Sequence, residues 1–228
     1  YTSDYICSVW MGFGKEGIDK GKTTSQYKAY PGKVVQTLLN HLQSKGSQKS
    51  YPDHTIISEE RGALEGKDSD IQWVIDPLDG TTNFVKGLPH FSVSIAIRVK
   101  NRTEVGVVYD PIRNELFTAV RGEGAKLNEV RLRVDSQNEL NGAILATGFP
   151  FKQPSLMPTQ FAIMNNLIDE AADFRRTGSA ALDLCYVASG RVDGYFEMGL
   201  KPWDCAAGDL IVREAGGLVC DFNAGHGY

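Results

Sequence analysis

The sequence predicts an α+β protein whose amino-terminal half is an antiparallel sheet and whose carboxyl-terminal half alternates strands and helices in the α/β manner. Between residues 91 and 134, apolar residues alternate with polar or small ones in several runs separated by turn residues. From residue 142 onward, short apolar runs alternate with segments of helical spacing. Runs joined by tight turns favour antiparallel pairing, whereas alternating strands and helices favour parallel strands.

The amino-terminal half contains a central apolar run at 73–75 and the predicted elements before and after it. Helical spacing of Val and Leu residues predicts a helix over 33–44, whereas residues 1–30 show no sustained period. Strands are predicted at 55–58, 73–76, 91–99, 104–109, 115–120 and 130–134, with a loop over 61–70. The sheet is expected to be an antiparallel meander.

The carboxyl-terminal half begins after a polar stretch at 135–141, which predicts a connection between a domain over 1–140 and a domain over 141–228. Strands are predicted at 142–147, 192–198 and 218–222, and helices at 158–172, 178–189 and 204–215. The active site is expected between the two domains.

Two carboxylates stand directly after the central apolar run, in the segment 73–84. Because Pro77 fixes its own φ and lacks an N–H, the chain is expected to leave the strand there, so that Asp76 and Asp79 converge on one point. Paired carboxylates, with the Leu78 carbonyl between them, suit Mg²⁺. The alternative is an ordinary Asx-rich turn.

Other polar groups are expected to face the same point. Gly80 and Thr81 follow the carboxylates at a helix or turn start, where free backbone N–H groups bind phosphate oxygens. Glu59 closes the preceding strand, and Asp204 is expected to be the N-cap of the helix over 204–215. Taken singly, Glu59 also fits a solvated strand end. Together with an Arg from 174–179, these groups predict metal-assisted phosphoryl transfer to water.

The composition excludes several functions. The net charge of −4 argues against a general nucleic-acid binder, so direct DNA binding is not expected. No apolar run reaches the roughly 18 residues that cross a bilayer, and no secretory signal pattern opens the sequence. The predicted location is the cytoplasm.

Two long motifs resemble the signatures of the inositol monophosphatase family. The first is Trp-Val-Ile-Asp-Pro-Leu-Asp-Gly-Thr-Thr-Asn-Phe at 73–84, and the second is Trp-Asp-Cys-Ala-Ala-Gly at 203–208, continuing to Glu-Ala-Gly-Gly at 214–217. The chain from about residue 51 to 228 is similar to the bacterial SuhB-type branch of that family. The resemblance implies a layered α-β-α-β-α sandwich of the sugar-phosphatase type, with an antiparallel amino-terminal sheet and a mixed carboxyl-terminal sheet.

The resemblance also implies roles for individual residues. Glu59, Asp76 and the Leu78 carbonyl would hold a first Mg²⁺, and Asp76, Asp79 and Asp204 a second, with two or three ions in all. Glu59, Thr81 and Asp79 are the implied catalytic residues, with Glu59 and the Thr81 hydroxyl activating the attacking water. The implied substrate-binding residues are Leu78, Asp79, Gly80, Thr81, Arg175, Gly178, Ser179, Ala180, Glu197 and Asp204. Glu60 is implied as a supporting acid.

The implied reaction is hydrolysis of myo-inositol 1-phosphate, with inhibition by lithium and a homodimeric assembly. A related phosphatase substrate such as fructose 1,6-bisphosphate is an open alternative, although the carboxylate of Glu197 favours a neutral polyol. A second alternative is a binding role, because SuhB-type proteins are associated with ribosomal RNA transcription antitermination. Transcription elongation factors would then be the partners.

Overall fold

A computed structural model describes residues 54–59, 62–137 and 139–225. The predicted helix at 33–44 and the implied acid Glu60 lie outside these residues. The strands are β1 (His54–Ser58), β2 (Gly62–Leu64), β3 (Asp68–Asp79), β4 (Ser92–Val99), β5 (Arg102–Asp110), β6 (Glu115–Val120), β7 (Gly124–Leu127), β8 (Val130–Arg131), β9 (Ile144–Thr147), β10 (Asp173–Arg175) and β11 (Gly194–Phe196). The helices are α1 (Thr81–Lys86), α2 (Met157–Leu167), α3 (Ala180–Ala188) and α4 (Pro202–Glu214), with a 3₁₀ turn at Pro154–Leu156 before α2.

The first eight strands form one large sheet in the order β2-β1-β3-β4-β5-β6-β7-β8. From β3 to β8 each strand pairs antiparallel with the next, which confirms the predicted meander. The sheet as a whole is mixed, however, because β1 runs parallel to β3. The expectation of a purely antiparallel sheet was therefore wrong at this edge. The predicted loop at 61–70 also contains β2, which extends the sheet beyond β1.

The central strand β3 is longer than its sequence suggests. The prediction that it stops at Asp76 was wrong, since it continues to Asp79. Asp76 pairs with Ser94 and Asp79 pairs with Ser92, so two residues of β3 oppose a single residue of β4. This is a β-bulge, and it accommodates Pro77, which has no N–H to give to the ladder. The two aspartates therefore lie on either side of a bulge within a strand, rather than in a loop beyond it.

The three remaining strands form a small sheet in the order β10-β9-β11. Both pairings are parallel, so among the described residues this sheet is parallel rather than mixed as expected. The prediction omitted β10, because it extended the preceding helix to residue 172. Helix α2 ends at Leu167, and the Ala172 N–H instead donates to the Ala143 carbonyl, which leads the chain into the small sheet.

The predicted strand at 218–222 was wrong. Leu218 is 96% exposed, and the chain turns at Asp221, whose side chain accepts hydrogen bonds from the N–H groups of Asn223 and Gly225. An Asp side chain that bonds the backbone two residues onward stabilises a turn in place of a strand. The apolar residues in this segment did not outweigh that local preference.

Helices α3 and α4 pack together on one face of the large sheet. The approach of α4 is close, because a Cβ on Gly106 of β5 would lie 2.7 Å from the Ala207 carbonyl oxygen. The main core lies between these layers and includes Val108, Phe117, Leu182, Leu210 and Ile211. This core joins residues from both sides of position 140, and the division into domains at 140/141 stays a prediction.

A membrane-crossing helix is absent from the part of the chain that the structure describes.

Candidate functional site

Three aspartates meet where β3, α3 and α4 approach one another. Asp76, Asp79 and Asp204 each present a carboxylate oxygen, and these oxygens all lie within 4.8 Å of one another. Asp76 and Asp79 are buried and Asp204 is half-buried. We refer to these residues as the three-aspartate cluster. Buried carboxylates at this separation repel one another unless a cation lies between them.

The amino terminus of α3 holds Asp79 in place. The Ser179 hydroxyl donates to Asp79 Oδ2 over 2.6 Å, and the Ala181 N–H donates to the same oxygen over 2.8 Å. Ser179 is also the N-cap of α3, since its side chain accepts a hydrogen bond from the Leu182 N–H. Asp79 therefore receives the hydrogen bonds and the partial positive charge of a helix start.

The bulge in β3 arranges the backbone around Asp76. Asp76 Oδ1 accepts a hydrogen bond from the Leu78 N–H over 2.9 Å, and the Thr81 hydroxyl donates to the Leu78 carbonyl over 3.0 Å. Gly80 follows with φ at 87°, which a residue with a side chain rarely adopts, and caps the short helix α1. A Cβ on Gly80 would also lie 3.1 Å from the His90 carbonyl oxygen, so a larger residue would be crowded as well as strained at this turn.

Asp204 lies in the first turn of α4, but it is not the N-cap that the sequence suggested. Helix α4 begins at Pro202 with Lys201 as its N-cap, and Asp204 Oδ2 accepts a hydrogen bond from the Lys201 N–H over 2.7 Å. Pro202 is favourable at the first helical position, which moves the start two residues earlier than predicted. The carboxylate still belongs to the cluster while it accepts a hydrogen bond from the N–H of the capping residue.

Glu59 follows β1 and lies beside the cluster. The charge of Glu59 contributes to the raised pKa values of Asp76 and Asp204, so Glu59 lies close to both of these aspartates. Glu59 Oε1 lies 3.3 Å from the ammonium of Lys152, whose side chain is 90% exposed. Lys152 was not predicted here, because it comes from the segment between β9 and α2.

Burial raises the pKa values of the cluster. Desolvation is the largest cause at Asp79 and raises its pKa to about 7, despite the hydrogen bonds from Ser179 and Ala181, which lower it. The pKa of Asp76 is raised well above its ordinary value, first by burial and then by the charge of Asp79. Burial likewise raises the pKa of Asp204. These shifts indicate a concentration of negative charge that a bound cation would relieve.

The predicted Gly178-Ser179-Ala180 turn forms the boundary between β10 and α3. Gly178 has φ at 93°, and Asn83 of α1 donates to the carbonyls of both His90 and Thr177 over 2.8 Å. Asn83 thus joins helix α1, which follows β3, to the turn that carries Ser179. Asn83 is the next-to-last residue of the motif at 73–84, which could have marked it as important, but no role was predicted for it from the sequence.

Glu197 lies directly after β11 and is half-buried. Its Oε2 accepts a 2.7 Å hydrogen bond from the Tyr195 hydroxyl. Burial raises the pKa of Glu197, and the charge of Asp204 adds to that rise, while Tyr195 and Arg176 lower it. The predicted residue Arg175 instead forms a 2.6 Å ion pair with Asp173 on the surface. Among these two arginines, Arg176 supplies the positive charge toward Glu197.

Asp183 is a buried acid beneath the site that sequence reasoning missed. It is 1% exposed, and the Thr177 hydroxyl donates to its Oδ1 over 2.7 Å. Burial raises its pKa to about 8, and the charge of Asp79 contributes. Asp183 lies among apolar residues in α3, and this position in the sequence could have indicated that its side chain is buried.

Comparisons with known proteins agree with this arrangement. The family described as the inositol monophosphatase family matches residues 13–228. A relative from Haemophilus influenzae, named Nus factor SuhB, is 85% identical over 181 residues, which make up 79% of this chain and 68% of the relative.

Solved structures have the same fold. The extragenic suppressor protein SuhB from Bartonella henselae aligns with a TM-score of 0.75 and 43% identity, covering 85% of this chain and 72% of the other. The inositol monophosphatase from Anabaena (Nostoc) sp. PCC 7120 aligns with a TM-score of 0.74 and 39% identity, covering 85% of this chain and 75% of the other.

Proposed function

Since the chain belongs to the inositol monophosphatase family, we propose that it is a Mg²⁺-dependent phosphomonoesterase of the cytoplasm that hydrolyses myo-inositol 1-phosphate or a related polyol phosphate. The observation that carries this proposal is the three-aspartate cluster, whose carboxylate oxygens lie within 4.8 Å of one another. Such a cluster is costly to bury without a cation. A hard-oxygen donor set of this kind suits Mg²⁺.

The donor set supports two or three ions. Asp76, Asp79 and Asp204 would hold one ion, and Asp76, Glu59 and the Leu78 carbonyl another. When bound, the ions supply an activated water and neutralise the leaving oxygen. The Lys152 ammonium beside Glu59 would have to move for Glu59 to bind a metal.

The chain's own residues would orient the reactants. Glu59 and the Thr81 hydroxyl would hold the attacking water, and the Glu59 carboxylate would accept its proton. Asp79 is held by the Ser179 hydroxyl and the Ala181 N–H, so it would stay fixed while negative charge develops on the reacting phosphate ester in the transition state. Phosphate oxygens would meet Gly80 and Thr81 at the start of α1, and the turn at Gly178, Ser179 and Ala180 would close the site from α3.

Glu197 supports the proposed substrate class, because its carboxylate would accept hydrogen bonds from ring hydroxyls. A carboxylate here suits a neutral polyol and repels a substrate with a second phosphate, such as fructose 1,6-bisphosphate. Glu197→Gln removes the charge and keeps the size. It is expected to lower kcat/KM for myo-inositol 1-phosphate by roughly 10- to 100-fold, and to change an aryl phosphate far less. Equal losses on both substrates would remove the argument for a polyol.

Phosphate release tests the proposal as a whole. Purified wild type is expected to release phosphate from myo-inositol 1-phosphate in Mg²⁺ and to lose this activity in EDTA. Asp76→Asn is expected to be inactive. Asp169→Asn, on the exposed surface after α2, is the matched control and should retain activity. Activity that persists in Asp76→Asn would contradict the proposal.

A binding role is the second candidate, because the 85% identical relative is named Nus factor SuhB. We propose transcription elongation factors as its partners and a homodimer as the assembly. A pull-down with elongation factors would detect the binding role, and Asp76→Asn would separate it from catalysis. Light scattering of the purified protein would determine the assembly.

A further inference from the structure

We propose that Tyr195 and Gly148 are positioning residues that fix the Glu197 carboxylate, and that through it they determine selectivity for polyol phosphates. This inference rests on the proposed function. Glu197 is the acid assigned to the substrate's hydroxyls, and a carboxylate selects among hydroxyl patterns only if its own orientation is fixed. Two neighbours provide that orientation.

The register of the small sheet brings these residues together. Strands β9 and β11 are parallel, with Tyr195 paired to Ala146 and Phe196 paired to Thr147. Glu197 and Gly148 each follow the last residue of their strand, and the Glu197 carboxylate lies beside Gly148. Because side chains two apart on a strand share a face, Tyr195 and Glu197 point to the same side. The 2.7 Å hydrogen bond between the Tyr195 hydroxyl and Glu197 Oε2 follows from this geometry.

Gly148 leaves the space that the carboxylate fills. A Cβ added to Gly148 would overlap the Glu197 carboxylate, since its closest neighbours would be Oε2, Cδ and Oε1 of that side chain. Gly148 is buried and is not among the described residues with positive φ. The glycine is therefore needed for this approach rather than for an unusual backbone conformation.

The end of β11 is itself held firmly. The Thr147 hydroxyl donates to the Phe196 carbonyl over 2.8 Å, and the buried Gln160 amide of α2 donates to the Thr147 hydroxyl over 2.8 Å. These bonds fix the backbone immediately before Glu197. Because Oε2 accepts the hydrogen bond from Tyr195, the acceptor capacity of Oε1 is left for the hydroxyls of a ligand.

The charges around Glu197 are unequal. Arg176 attracts its carboxylate, whereas the charge of Asp204 opposes its ionisation. Without the Tyr195 hydroxyl, Oε2 would lose its hydrogen-bond donor, and the attraction of Arg176 would act on a less constrained carboxylate. A shift of about an ångström at such a site costs substantial transition-state binding.

A double-mutant cycle tests whether Tyr195 acts through Glu197. The variants are Tyr195→Phe, Glu197→Ala and the double variant, each assayed with myo-inositol 1-phosphate and para-nitrophenyl phosphate. Tyr195→Phe is expected to lower kcat/KM for the inositol substrate about 3- to 10-fold, mainly through KM. It should leave the aryl substrate nearly unchanged. In the Glu197→Ala background, Tyr195→Phe should have no further effect.

Tyr109→Phe is the matched control, because the Tyr109 hydroxyl donates a 2.8 Å hydrogen bond to Asn114 Oδ1 at the end of β5. It should leave the ratio of the two kcat/KM values unchanged. Gly148→Ala provides the second variant. It should reproduce the selective loss by displacing the carboxylate, whose side chain is able to move without unfolding the protein.

Additive losses in the cycle, or equal losses on both substrates, would overturn the inference while leaving the phosphatase proposal standing. Selectivity retained by Gly148→Ala would overturn it as well. If wild type released no phosphate from the inositol substrate, the proposed function itself would be wrong, and the inference would fall with it.

Discussion

The Ser179 hydroxyl donates a 2.6 Å hydrogen bond to Asp79 Oδ2, although the two residues stand one hundred positions apart. Both are buried, and Ser179 simultaneously caps α3. The bond joins the bulged end of β3 to the start of a core helix. The position of one cluster carboxylate therefore depends on the packing of α3 against the large sheet.

Ser179→Ala should weaken Mg²⁺ binding. The substitution removes a hydrogen bond that orients a proposed metal-binding carboxylate, and the loss of such a partner lowers metal affinity by roughly 10- to 100-fold. Isothermal titration calorimetry with Mg²⁺ measures the change. Ser189→Ala is the matched control, since the Ser189 hydroxyl bonds only backbone carbonyls at the end of α3. Equal Mg²⁺ affinity in both variants would contradict this role for Ser179.

Mg²⁺ should raise the melting temperature, because it binds the folded cluster in preference to the unfolded chain. Burial raises the pKa of Asp79 to about 7, so protons compete with the ion below that pH. The Mg²⁺-induced shift should therefore be larger at pH 8 than at pH 6. Asp76→Asn should reduce the shift and Asp169→Asn should not. A full shift in Asp76→Asn would place the ion elsewhere.

Asp183→Asn should stabilise the metal-free protein, and more so at pH 8 than at pH 5. Burial raises the folded-state pKa of Asp183 to about 8, above the ordinary value of 3.8. The folded state therefore holds a proton that the unfolded state loses, and stability falls as pH rises from about 4 to about 8. The neutral amide of Asn does not ionise, so it avoids the cost of burying a charge, and its oxygen still accepts the hydrogen bond from the Thr177 hydroxyl. Urea unfolding in EDTA at both pH values measures the difference, and a pH-independent effect would contradict it.

Gly178→Ala should destabilise the protein more than Gly142→Ala. Both glycines have positive φ, at 93° and 84° respectively. A Cβ at Gly178 would lie 2.7 Å from Arg176 Nη1 and 2.9 Å from Asn83 Nδ2, whereas a Cβ at Gly142 would meet nothing within 4 Å. Gly142→Ala thus measures the cost of placing a side chain at a positive φ, about 1 kcal/mol of unfolding free energy. The additional loss of unfolding free energy in Gly178→Ala measures the crowding against Asn83 and Arg176. Equal losses of unfolding free energy would show that the contact is unimportant.

The sequence predicted most of the elements because their periodicity is local. The alternation at 115–120 predicted the bounds of β6 correctly, and the motif at 73–84 identified Asp76 and Asp79 as members of the cluster. Features that depend on distant partners were not predictable. The bulge at Pro77 depends on pairing with β4, and the contact of Lys152 with Glu59 depends on how the chain returns from β9. The failure at 218–222 had the opposite cause, since a local Asp221 turn prevailed over an apolar run.

One titration can follow Mg²⁺ binding and phosphate release from myo-inositol 1-phosphate together, in wild type and in Asp76→Asn. If the three-aspartate cluster binds a catalytic metal, the heat of binding and the initial rate in wild type rise over the same Mg²⁺ range, and Asp76→Asn loses both. Phosphate release that is undiminished in EDTA or in Asp76→Asn would contradict a catalytic metal at the three-aspartate cluster.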